Sequence, residues 1–186
     1  MSDPSVPLAG TTLVVGPSNA GKTRLTAEAL QSWVEHEGTA GVAILEFAPE
    51  LERDGRILGG RLDRFLTPPA DAWQGVLDAH APRTTADSPS EAVELAADNA
   101  RRADTLFDAA PDAPRAVFVN DATIPFQHAD ADPTHLLDYC ADAEMAVLNA
   151  LEADEIVGDD AVSRAERRTL DAFRSAADRV IRLDDG

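Results

Sequence analysis

This sequence predicts an α/β fold, with a mostly parallel sheet of about five strands flanked by helices, and three observations carry that expectation. Short runs rich in Val, Leu, Ile and Phe recur at 11–15, 41–47, 116–120, 145–148 and 179–183. They read as strands buried on both faces. Between consecutive runs lies at least one segment with apolar residues at helical spacing, which is the pattern of βαβ crossovers. The length of 186 residues fits a single domain, 1–186, able to bury its own core, with 1–10 expected as a flexible N-terminus.

The first run, Thr11-Thr12-Leu13-Val14-Val15, ends at Gly16 and reads as a strand. Residues 22–37 then place Leu25, Ala29, Leu30 and Trp33 on one helical face, with Gly38 as the stop. The run 41–47 is the second strand. After it, 48–61 contains Pro49, Gly55, Gly59 and Gly60 and reads as a long loop of the kind that often carries function. A short edge strand is expected over 62–66, a helix over 71–80 and a polar connector over 81–87. Ser88-Pro89-Ser90-Glu91 sets a capping serine, a first-turn proline and a glutamate three residues past the cap, opening a helix to about 109. The strand 116–120, a short helix over 133–141 and the strand 145–148 come next. Ser163-Arg164-Ala165-Glu166 is a second capping-box pattern, opening a helix to 178, and 179–183 is the last strand. In such a sheet ligands sit beyond the carboxyl ends of the strands. Those ends are Gly16, Glu46, Asn120-Asp121, Asn149 and Asp184.

Charge narrows the function classes. With 16 Lys and Arg against 34 Asp and Glu the net charge is −18, a field that repels nucleic-acid backbones and anionic headgroups. Nucleic acid is therefore disfavoured as a partner, and with no apolar run approaching about 18 residues no membrane insertion is expected. Residues 1–10 lack the basic and apolar regions of a secretory leader, and the lone Cys140 excludes an internal disulfide, so a cytoplasmic location is expected. Asp outnumbers Glu 22 to 12, and 15 of the 16 cations are arginine, leaving Lys22 as the only lysine. This composition resembles that of extreme halophiles, although a GC-rich genome also favours Arg over Lys. Molar salt shortens the range of self-repulsion from about 8 Å at physiological ionic strength to about 3 Å. The melting temperature is accordingly expected to climb steeply from low salt to molar KCl, and a flat profile would contradict the halophilic reading.

Gly16-Pro17-Ser18-Asn19-Ala20-Gly21-Lys22-Thr23 matches G-x-x-x-x-G-K-[ST] and lies between a strand and an amphipathic helix, where its mechanism requires it. Gly16 and Gly21 permit backbone angles and close approach that a Cβ would block, so N–H groups from about Asn19 to Thr23 can turn toward phosphate oxygens. The helix N-terminus adds about half a positive charge. Lys22 supplies a full one at the β- and γ-phosphates, and the Thr23 hydroxyl is placed for Mg²⁺. A chance match in a chain of this composition is on the order of 10⁻³ or less. Retention of one lysine here, where every other cation is arginine, suits a compact ammonium that a guanidinium cannot replace. On these residues the chain resembles the P-loop NTPase superfamily. That resemblance implies the three-layer P-loop fold, ATP and Mg²⁺ as ligands, and residues 16–23 as the nucleotide-binding loop.

Val117-Phe118-Val119-Asn120-Asp121 looks like the Walker B strand of that superfamily. Two registers are open: Asp121 is the metal-shell carboxylate, or Asn120 takes that place and Asp121 the place of the base, as the Asp-Glu pair does in the additional-strand ATPases. Glu46 ends the second strand and is the candidate for orienting an attacking water, much as a strand-end glutamate does in RecA-like ATPases, with Glu50 as its rival. The order of motifs is similar to that RecA-like branch, including the ATP-dependent corrinoid adenosyltransferases. Asn149-Ala150-Leu151-Glu152 lacks the lysine and aspartate of the guanine-reading N-K-x-D, no adjacent D-x-x-G follows Asp121, and protein-kinase patterns are missing. His128, Asp130, Asp132 and His135 read as a solvated loop rather than a metal site, and Cys140 as a core residue. Arg101, Arg102, Arg164, Arg167 and Arg168 read as solvated helix faces rather than arginine fingers. The catalytic set is thus Lys22, Asp121 and Glu46, and the metal set Thr23 and Asp121. The function expected is Mg-dependent ATP binding and hydrolysis coupled to a protein partner or a conformational switch. Its alternative is phosphoryl or group transfer from ATP to a small molecule or nucleotide.

Overall fold

The computed structural model of the chain describes residues 5–53, 56–58, 60–152, 156 and 158–184, with 51–53 and 56–58 described by their backbone alone. In chain order the elements are β1 (Gly10–Gly16), α1 (Lys22–Glu37), β2 (Val42–Glu46), β3 (Leu51–Arg53), β4 (Arg56–Leu58), β5 (Trp73–Val76), α2 (Pro82–Thr85), α3 (Pro89–Ala109), β6 (Ala116–Asn120), α4 (Thr134–Ala141), β7 (Met145–Leu151), α5 (Ala161–Ala176) and β8 (Arg179–Arg182). Six strands form one sheet in the order β5-β2-β6-β7-β1-β8, and every neighbouring pair is parallel. The sheet therefore has one strand more than the sequence suggests and no antiparallel member. β3 and β4 pair with each other as a separate antiparallel hairpin.

Strand burial explains why the apolar runs are continuous. In β2, β6 and most of β1 and β7 every residue is buried, because helices cover both faces. Leu13, Val15, Leu45, Val119 and Leu148 point to one face and pack with Ala103 of α3, Leu136 of α4 and Phe173 of α5. Val14, Ile44, Phe118 and Val147 point to the other and meet Leu25, Leu30 and Trp33 of α1. Each such large side chain, fully buried, contributes about 1.5–3 kcal/mol. At the N-terminal end Val6 and Leu8 pack against the α1 side of the core, half-buried, while residues 1–4 lie outside the described residues. No helix among the described residues is long and apolar enough to cross a membrane.

Five expectations are corrected. The connector 81–87 carries the short helix α2. The stretch 48–61 carries the β3–β4 hairpin rather than continuous loop. Residues 62–66 form no strand: Leu62–Arg64 is a single 3₁₀ turn whose Leu62 is 1% exposed and anchors the segment on the α1 side of the core. The segment 71–80 is not a helix but contains β5, which extends the sheet beside β2. Asp160, three residues before Ser163, caps α5, its carboxylate accepting from Ser163 N (2.9 Å) and Ser163 Oγ (2.7 Å). The Ser88 cap holds as read, accepting from Glu91 N at 3.1 Å behind a first-turn proline, although the Glu91 carboxylate returns to Asp87 N (2.6 Å) instead of closing on Ser88.

Candidate functional site

Residues 16–23 join β1 to α1 at the carboxyl end of the sheet. Asn19 (φ 66°) and Gly21 (φ 92°) are left-handed, a conformation that asparagine tolerates and glycine adopts freely. Gly21 is also the N-cap of α1 and offers no side chain to cap its first turn. The glycine at 16 answers a different need: a Cβ there would meet the Leu183 carbonyl oxygen at 2.5 Å, just past β8. Lys22 is 8% exposed, and its Nζ donates to Gly16 O at 2.9 Å and to Pro17 O, so the ammonium lies along its own loop.

Parallel pairing then builds a polar row. Glu46 of β2 is opposite Asn120 of β6. Val119 is opposite Leu148, which brings Asn120 alongside Asn149 of β7, and Asn149 is opposite Val14 of β1. Because parallel partners in register point to the same face, Glu46, Asn120 and Asn149 share the α1 side of the sheet. There Asn149 Nδ2 donates to Thr26 Oγ1 (2.9 Å) and to Asn120 Oδ1 (2.8 Å). The Thr23 hydroxyl donates to the same Asn120 Oδ1 at 3.2 Å, while Asn120 Nδ2 donates to Glu46 Oε1 and to Gly60 O, both at 2.7 Å. Two acceptor-only groups on one side of the amide fix its orientation. Of the two residues at the end of β6 it is thus Asn120 whose side chain meets Thr23.

Glu46 is 4% exposed. Its oxygens accept from Leu62 N (2.9 Å), Ala48 N (3.2 Å) and the Asn120 amide. The segment after the hairpin is in this way folded back over the polar row. Burial pushes the Glu46 carboxyl up to about 7, against the bonds from Leu62, Asn120 and Ala48 that favour the ionised form, and the Asp121 charge adds to the rise. A carboxyl raised in the folded state stabilises the fold fully below the unfolded value of 4.5, and that contribution is lost as pH climbs toward 7. Without nucleotide and at fixed KCl, the loss between pH 5 and pH 8 from this group is on the order of 3 kcal/mol. Denaturation midpoints should therefore fall more over that interval in the wild type than in Glu46→Gln; parallel falls would refute the assignment.

Asp121 continues the chain past β6 in a left-handed conformation (φ 53°), its N–H donating to Asn149 Oδ1 at 2.9 Å. Burial pushes its carboxyl up to about 6; Lys22 pulls it down, Glu166 pushes it up, and Arg83 pulls it down again. Two carboxyls and one ammonium thus converge at the ends of β1, β2 and β6. No protein-family model matches the chain, and no curated protein matches it. Its site is therefore read from geometry.

The sequence did not single out a second cluster beside Asp121. Glu166 of α5 is 1% exposed and accepts from Thr123 Oγ1 (2.9 Å) and Gln127 Nε2 (2.9 Å), and Arg83 Nε of α2 pairs with it at 3.1 Å. Arg83 is carried there because His80, just ahead of α2, bonds through both its N–H and its carbonyl to the buried Asn99 of α3. Since Asp160 caps α5, Glu166 is left to face inward. A buried carboxylate in a capping-box pattern gives no signal of its own in sequence.

Other candidates lie apart from this convergence. Glu50 is exposed and pairs with Arg61 (3.6 Å) and Arg64 (3.5 Å). Glu152 is held by Arg182 (2.8 Å) and Arg174 (2.6 Å), which keep its carboxyl below the usual range. Arg101 and Arg102 pair with Asp98, Arg164 with Asp159, and Arg167 and Arg168 bond backbone carbonyls. His128 Nδ1 accepts from Asp130 N and Asp132 Oδ1 accepts from Thr134 N and Oγ1, and among the described residues no group of three His, Cys, Asp or Glu side chains is placed to hold a metal. Burial pushes the Cys140 thiol up to about 12, which makes it unreactive at neutral pH.

Proposed function

We propose that the chain is a P-loop NTPase that binds Mg-ATP at residues 16–23 and hydrolyses it, with turnover coupled to a protein partner or a conformational switch. The observation that carries this reading is the Thr23–Asn120 hydrogen bond. It joins the G-x-x-x-x-G-K-T loop to the polar end of a second strand, across β7. The strand order supports it, because β7 stands between β1 and β6 as the inserted strand does in the additional-strand ATPases resembled by the sequence.

The residues suit Mg-ATP. An uncapped helix start and a left-handed Gly21 offer amides to an anion, and Lys22 can turn from the Gly16 and Pro17 carbonyls to the β- and γ-phosphates. The Thr23 hydroxyl and Asn120 Oδ1 would hold the metal and its water shell, in keeping with a Mg²⁺ bound by few protein groups plus phosphate. Bound Mg²⁺ neutralises charge on the phosphates. Asp121 takes the place of the base: it accepts a proton from water as that oxygen bonds to the γ-phosphorus and the bond to the ADP oxygen breaks. A carboxyl near 6 is mostly ionised at neutral pH and still basic enough to take that proton.

The second reading is phosphoryl transfer from the same Mg-ATP to a small molecule. Incubation of γ-labelled ATP with the protein and a metabolite extract in molar KCl separates the two. Free labelled phosphate, lost in Asp121→Asn, is expected; label accumulating in a small molecule and vanishing with Lys22→Ala would replace hydrolysis by transfer.

A further inference from the structure

We propose that the negative charge of the metal-binding end of β6 has moved one strand over: Asn120 supplies the oxygen that faces Thr23, and Glu46 supplies the charge behind it through the Asn120 amide. The inference rests on the Mg-ATP reading above and assigns Glu46 as a positioning residue in place of a water-orienting one.

Its first support is the complete use of the Asn120 side chain. Oδ1 accepts from Thr23 and Asn149, and Nδ2 donates to Glu46 and Gly60. An aspartate at 120 would have no proton for either acceptor and would set a carboxylate 2.7 Å from the Glu46 carboxylate, a like-charge contact that neither group can relieve by moving into solvent. With Glu46 ionised, an amide at residue 120 satisfies both acceptors where an aspartate would not. The second support is what surrounds Glu46. Both its oxygens already accept from protein N–H groups, at Leu62, Ala48 and Asn120, and the side chain is almost wholly buried. A carboxylate enclosed in this way is not placed to orient water. It acts on the site through the group it touches, polarising the amide so that Oδ1 becomes a stronger oxygen donor. With Glu46 ionised, the pair carries one negative charge, as a single aspartate at position 120 would.

The test measures affinity for a fluorescent ATP analogue with Mg²⁺ and with EDTA, together with melting temperature without nucleotide, in molar KCl. The ratio of the two affinities reports the metal contribution, which a purely structural role for Glu46 would leave alone. Glu46→Gln is expected to lower that ratio at least tenfold. Asn120→Asp alone should melt lower than wild type. The double variant Glu46→Gln/Asn120→Asp returns one charge to position 120, and it should melt above Asn120→Asp and bring the ratio back to within about threefold of wild type. If Glu46→Gln does not fold, the double variant still decides. A folded double variant without Mg²⁺ dependence, or a Glu46→Gln protein with the wild-type ratio, overturns the inference and leaves the Mg-ATP reading standing. A wild type whose nucleotide affinity ignores Mg²⁺ overturns both.

Discussion

Replacing Lys22 with alanine is expected to weaken Mg-ATP binding at least 100-fold while shifting the melting temperature by only a few degrees. Its ammonium is the only one supplied by a side chain in a molecule of net charge −18, and an arginine is a poor replacement for a point charge at a polyphosphate. Charge-assisted hydrogen bonds contribute about 1.5–3 kcal/mol each, and two of them account for a loss of two or more orders of magnitude. Folding is spared because Lys22 opens α1, where alanine is a good helix former, and its Nζ hydrogen bonds to Gly16 O and Pro17 O stay within its own loop. Lys22→Arg should not restore binding, since the longer planar guanidinium does not fit a cradle shaped for a point charge. Calorimetry in molar KCl checks both variants, and unchanged affinity in Lys22→Ala would remove residues 16–23 from the nucleotide site.

The parts of the fold that were legible in sequence are those whose signal is local. The helix 22–37 needs only its apolar face and Gly38, and α3 needs only the Ser88-Pro89-Ser90-Glu91 start; both stand where expected. The central strands were legible because burial on both faces leaves an unbroken apolar run. β5 was not, since an edge strand of four residues is too short for its period to be told from a helical one, and Trp73 and Leu77 happen to be spaced four apart. Its tertiary reason lies in Gly75: a Cβ there would strike the Trp73 ring at 2.5 Å, so the ring folds over the glycine. The site divides in the same way. The loop 16–23 is a contiguous motif and could be read directly, whereas which of Asn120 and Asp121 meets Thr23 is a matter of one residue, set by the pairing of β6 with β2 and β7. The cluster of Arg83, Thr123 and Glu166 draws on residues as far as 83 positions apart, and each looks ordinary in its own stretch of chain.

That cluster carries a large stability effect outside the apolar core. Glu166→Ala is expected to destabilise the fold by about 3 kcal/mol, because removing one member of a buried ion pair leaves its partners without compensation. Thr123 Oγ1 and Gln127 Nε2 lose their acceptor inside the protein, while Arg83, 28% exposed, regains part of its hydration and keeps the cost at the lower end of the range. Glu166→Gln should cost only about 1 kcal/mol, the loss of a half-solvated charge pair. The buried Gln127 Oε1 has no hydrogen-bond partner, so rotation of the Gln127 amide by half a turn presents that oxygen to the new Nε2 at no loss of packing. Urea denaturation of both variants at one KCl concentration measures the two costs. Equal destabilisation by alanine and glutamine would mean that the charge on Glu166, rather than its hydrogen bonds to Thr123 and Gln127, holds α5 against the segment that follows Asp121.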